Sequence, residues 1–109
     1  MSRLKLAESP RRTLDIELPS GEVITLVLKR ILKKDTRELE KKERKIEKDF
    51  RDGSISADEY YDKMIGLVVD NYNPADLANI ELHHMEQIAE EIQRLSKEKT
   101  EAEKKSQGL

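Results

Sequence analysis

DGSISADEYYDKM, residues 52–64, admits two readings, and the fold turns on the choice between them. Gly53 and Glu59 stand where an EF-hand calcium loop carries its glycine at position 6 and its bidentate glutamate at position 12. In that register Lys48 falls at position 1, Phe50 at position 3 and Asp52 at position 5. A cation and a phenyl ring stand where oxygen ligands are needed, so the calcium reading fails. The other reading is a corner between two helices. Gly53 ends the first helix in a left-handed conformation. Ser56 caps the second, Glu59 completes a capping box three residues on, and Ile55 staples to Tyr60. The helices on either side then fold back on each other.

Working backward from the corner, the first helix is predicted from a capping box at Asp35-Thr36-Arg37-Glu38 to about Arg51. Its apolar stripe is narrow: Leu39, Ile46 and Phe50. Glu38 and Lys42 sit at a helpful charge spacing. Further back, Leu14, Ile16 and Leu18 alternate with Asp15 and Glu17, as one face of a strand does. Pro19-Ser20-Gly21-Glu22 spells a turn, and Val23 to Leu28 resumes an extended pattern in which Ile24, Leu26 and Leu28 share that face. Two strands alone are marginal in water, so this hairpin must pack on the helices.

Working forward, the second helix is predicted over Ala57 to about Asp70 and is the most apolar segment. Asn73 caps a third segment with Pro74 in its first turn. A break is expected near Ala78-Asn79, with Asn79 as a fresh cap. Met85, Ile88, Ile92 and Leu95 then step by three and four, as a packed seam does. The expectation is an α+β fold, mostly α: an N-terminal β-hairpin packed on a small bundle of three or four helices. Residues 1–11 are expected to be a flexible arm, 12–95 a single domain, and 96–109 a polar tail that frays.

Composition narrows the function. Of 109 residues, 40% are charged and 36% apolar, and there is no cysteine. Disulfides and thiolate chemistry are therefore excluded. No apolar run reaches membrane-spanning length and MSRLKLAESPRR has no signal-peptide core, so a cytosolic protein is expected. No glycine-rich phosphate loop and no nucleophile motif occurs, and enzymatic activity is not expected. His83 and His84 are adjacent, which on a helix splays them about 100° apart, too wide to share a metal. No metal or cofactor is expected.

Charge is segregated along the chain. Residues 29–51 hold eleven Lys/Arg and six Asp/Glu, whereas residues 52–95 hold two and ten. Nucleic-acid binding or a regulatory role through 29–51 is one reading of the basic segment. The interleaved acids and the lack of an aromatic platform count against it, and pairing of the two halves, within the chain or between copies, is the alternative. The second helix is apolar around most of its circumference. Tyr61, Met64 and Val68, with Met85, Ile88 and Ile92 of the third, are the candidate partner-binding set, although tyrosine and methionine serve cores as readily as interfaces.

The order of elements, LDIELPSGEVITLVLKRI over 14–31, KKDTRELEKK over 33–42 and NYNPADLANIELHHMEQIAEEI over 71–92, resembles the small tail assembly chaperones of long-tailed bacteriophages. The resemblance covers about residues 12–95 and rests on element order and hydrophobic pattern. It implies a non-enzymatic protein of the infected bacterial cytoplasm, absent from the mature virion. Such a chaperone would bind the helical tape-measure protein and help recruit tail-tube subunits.

Overall fold

The computed structural model describes residues 2–7 and 10–97. Two strands, β1 (Thr13–Glu17) and β2 (Val23–Val27), pair antiparallel with Leu14 opposite Leu26 and Ile16 opposite Ile24. Three α-helices follow: α1 (Thr36–Arg51), α2 (Ala57–Val68) and α3 (Leu82–Lys97). Short 3-10 turns at Lys33–Asp35 and Pro74–Leu77 introduce α1 and precede α3. The fold is α+β and mostly α, an N-terminal hairpin followed by three helices. The predicted tail from residue 98 onward lies outside the described residues, as do Met1, Glu8 and Ser9 of the predicted arm.

The hairpin closes where proline and glycine allow it. Gly21 takes φ 91°, its amide donates to the Leu18 carbonyl, and Leu18 N–H bonds Glu22 O at 2.8 Å. The inward face holds Leu14, Ile16, Leu18, Ile24, Leu26 and Leu28, with Leu26 and Leu28 only 2% exposed. Beneath it lie Ile65 of α2 and Met85, Ile88, Ala89 and Ile92 of α3. Ile65 and Ile92, each 1% exposed, are the best-buried large side chains. α1 buries no residue and packs chiefly against α2.

The corner at residues 52–56 forms as the sequence predicts, with different capping chemistry. Gly53 takes φ 77°; its amide bonds Phe50 O at 3.1 Å, and Ser54 N–H bonds Asp49 O at 2.8 Å. These two bonds satisfy the last carbonyls of α1 in a Schellman arrangement. Ser56 stands at the cap of α2, but its hydroxyl accepts from no first-turn amide. It donates instead to the carboxylates of Asp58 and Glu59. That hydroxyl, with the Asp58 and Glu59 amides, holds the Asp58 carboxyl below its usual range. Across the corner the Tyr60 ring meets the edge of Phe50 at 4.6 Å.

Three boundaries differ from expectation. The capping box at Asp35 does not form: Asp35 sits in a helical conformation and its side chain caps nothing, because a 3-10 turn already winds the chain from Lys33. α2 stops at Val68, two residues early. Val69 is extended (φ −119°, ψ 128°) and bridges Leu28, with Lys29 N–H on Val68 O and Asp70 N–H on Val27 O. The break before α3 occurs, and Asn73 accepts from Ala75 N–H at 3.2 Å. Asn79, however, does not cap α3, whose first amides, His84 and Met85, bond the Glu81 carbonyl.

Candidate functional site

The six residues predicted to bind a partner divide into two groups. Met85, Ile88 and Ile92 are buried in the core under the hairpin, and Met64, 6% exposed, is buried outside that cluster. They step along the one face of α3 that the hairpin and α2 cover, so three-and-four spacing marks a core here and no open seam. Val68 is partly buried against the same core. Tyr61 is half-buried, and with Met64 it lines a shallow cleft between α2 and α3.

This cleft is the surface with the most to offer another chain. It encloses about 200 Å³ between Tyr60, Tyr61 and Met64 on one side and Ala89 with Glu86, Glu90 and Gln93 on the other. α2 supplies consecutive tyrosines whose rings meet edge to face at 5.3 Å. α3 supplies a floor with only a methyl group at Ala89, flanked by glutamates one turn apart. The phenol of Tyr61 is pushed up by burial and by the negative field of Glu86 and Glu90. The phenol of Tyr60 is pushed up by burial and then by Glu47 and Glu43 of α1. Glu86 and Glu90 therefore rim the cleft, and Glu43 and Glu47 of α1 add to the negative field at Tyr60. Such a rim favours cationic side chains, whose stems can lie on the rings while their heads meet carboxylates.

Tyr60 and Tyr61 are conspicuous in the sequence, but Glu86, Ala89 and Glu90 are not. Glu86, Ala89, Glu90 and Gln93 do step by three, one and three along α3, which places them on one face. Nothing in the sequence says that this face lies beside the tyrosines.

A second opening, of about 410 Å³, lies between the end of β2, α1 and the end of α2, with Ile31, Leu39 and Leu67 in its lining. Its charged lining mixes both signs, Lys29, Arg30 and Lys42 with Asp35 and Glu38. It therefore presents no single charge preference.

The histidines depart from expectation in their geometry. Their ring centroids lie 4.2 Å apart, not splayed. They sit in the first turn of α3, where His83 turns back to place Nδ1 3.2 Å from Glu81 Oε2. Donor atoms of Glu81, His83 and His84 lie within 4.8 Å of one another. Yet Glu81 N–H donates to His84 Nδ1 at 3.2 Å. In the neutral ring that leaves the hydrogen on Nε2, so neither nitrogen of His84 offers a free lone pair to a metal. The trio reads as the cap of α3, with His84 satisfying an amide that Asn79 was expected to serve.

No helix among the described residues is long and apolar enough to cross a membrane. Comparison with known proteins finds no family model, no curated protein and no solved structure that matches the chain.

Proposed function

We propose that the chain is a non-enzymatic protein-binding adaptor that holds an amphipathic helix of a client along the cleft between α2 and α3. The observation that carries this reading is the pairing of Tyr60 and Tyr61 with Glu86 and Glu90 around an opening of about 200 Å³, in a negative field to which Glu43 and Glu47 of α1 add. Helix-in-groove recognition needs an apolar strip with charges that fix the orientation of the incoming helix. The cleft is small, so a single contact would be weak. Affinity for a long client would then come from repeated engagement, which also permits release.

Within this reading the client is a long helical protein that needs protection during assembly. The element order resembles that of the phage tail assembly chaperones, which makes a tape-measure protein the specific client to test, with tail-tube subunits recruited afterwards in the cytoplasm of the infected bacterium. Binding of nucleic acid through residues 29–51 is the competing reading.

The two are separated by one titration series. Labelled helical peptides with Lys/Arg flanks, drawn from a tape-measure protein, are added to the full chain at low and high salt, alongside duplex DNA. Peptide binding in the micromolar range is expected, with a shallow salt dependence and about a tenfold loss on Tyr61→Ala. Glu90→Lys should lower affinity for the same peptides. Absence of peptide binding, together with DNA binding that falls steeply with salt, would overturn the proposal.

A further inference from the structure

The hairpin leaves one edge of its sheet open. Leu28 N–H bonds Arg12 O, and Leu18 N–H bonds Glu22 O. With the register of Leu14 on Leu26 and Ile16 on Ile24, these pairs mark the residues of β1 whose backbone faces β2. Antiparallel pairing alternates, so the N–H and C=O of Thr13, Asp15 and Glu17 point the other way. The sheet has two strands only, and among the described residues no other backbone group bonds those three. The corresponding edge of β2 is treated differently. There Asn71 Oδ1 accepts from Val27 N–H and Asn71 Nδ2 donates to Thr25 O, both at 2.8 Å, while Asp70 N–H bonds Val27 O. One edge is sealed from within the chain and the other is not.

The same chain carries a segment suited to the open edge. Arg3-Leu4-Lys5-Leu6 alternates cation and leucine, and Leu4 and Leu6 are 85% and 84% exposed. Among the described residues no backbone bond joins the arm to its own β1. Set antiparallel to β1 with Leu4 opposite Ile16 and Leu6 opposite Leu14, it brings Lys5 opposite Asp15 and Arg3 opposite Glu17. Opposite charges directly across a strand pair are favourable. The leucines fall on the inward face. There a cleft of about 330 Å³ lies between β1 and α3, with Ile16, Leu18, Gln87 and Ile88 in its wall. Leu4, placed beside Ile16, enters it.

We infer that the arm Arg3–Ala7 of a second copy of this chain adds to the free edge of β1 as a third strand, seating Leu4 in the cleft against α3. The exchange is reciprocal, so two arms and two edges close a symmetric pair. The assembly is independent of the tyrosine cleft, which uses α2 and α3 side chains on another face.

Sedimentation equilibrium of the full chain from about 10 µM to about 1 mM reads the outcome. The mass is expected to rise with concentration toward twice the monomer. Asp15→Lys with Glu17→Lys should weaken the association at least about tenfold, as should Arg3→Glu with Lys5→Glu. All four changes in one chain should restore it. Lys5→Pro, which removes the N–H that this register sets against Asp15 without touching the folded core, should abolish it with the helical circular dichroism unchanged. A monomer at every concentration overturns the inference. So does association that all these variants leave intact, and so does a monomer whose arm amides are protected from exchange, which would place the arm on its own edge.

Discussion

Tyr72 shows how one residue sets a limit on the fold. Its ring packs partly buried against the core, and its hydroxyl donates to the Asp62 carboxylate. Burial first, and then that hydrogen bond and the carboxylate's charge, push the phenol pKa far up. Burial likewise raises Tyr60 and Tyr61. A phenol that stays neutral in the fold but ionises freely when unfolded favours folding below its unfolded pKa, about 10. Above that value the unfolded state loses the proton first, and stability falls as pH rises toward the folded pKa. The urea midpoint is therefore expected to be flat through the neutral range and to decline above about pH 10. Tyr72→Phe should lower the midpoint at neutral pH by removing the bond to Asp62, yet make the alkaline decline shallower. Urea melts of both proteins across that range, with phenolate absorbance, check it.

At the scale of elements, the join between the hairpin and α2 matters most. Asn71 acts as a short strand: its amide makes both bonds that a neighbouring backbone would make to Thr25 and Val27. Removing it by Asn71→Ala leaves an N–H and a carbonyl at the exposed edge of β2 to water, at a cost of about 0.5–1.5 kcal/mol for each bond lost. Asn71→Asp should cost more, because a carboxylate oxygen then faces the Thr25 carbonyl. Urea unfolding gives both values, and faster exchange of the Val27 amide locates the damage. Much at this scale was legible beforehand. Alternation over Leu14–Leu18 and Val23–Leu28 marked the hairpin, and Gly53 marked the corner, because both signals are local. The end of α2 was not legible. Val69 has helical company in sequence, and only its bridge to Leu28, forty-one positions away, pulls it into an extended form. The cap of α3 escaped for a similar reason: Asn79 is the better capper by residue type, but His84 reaches the Glu81 amide first.

For the molecule as a whole, the question is how firmly α1 belongs to it. The helix is charged on most of its surface and buries no residue; Leu39 and Ile46 are half-covered and Phe50 is 37% exposed. The surface left for a partner was illegible in the sequence for the same reason. α2 looked apolar around most of its circumference, but how much of it stays open depends on where a weakly held α1 lies, and that is a tertiary fact. The hydrophobic contribution of a half-covered side chain is roughly half of the 1.5–3 kcal/mol that full burial gives. α1 therefore has a small hold on α2, mainly the Phe50–Tyr60 ring contact and the Schellman corner, while its ion pairs, such as Lys45 to Asp49 at 3.3 Å, lie within α1 itself. Pairs of that kind add little each. α2, α3 and the hairpin share Ile65 and Ile92, and they should open only with the whole domain. Native-state hydrogen exchange should then show α1 amides exchanging through a partial opening at lower free energy than those of α2 and α3. Leu39→Ala and Ile46→Ala should each cost under about 1.5 kcal/mol, against about 2–5 kcal/mol for Ile65→Ala or Ile92→Ala. Equal protection of all three helices, with matching costs at Ile46 and Ile65, would show that α1 is as much part of the core as its neighbours. It would also mean that Glu43 and Glu47, whose charge acts on Tyr60, are fixed in place before any client arrives.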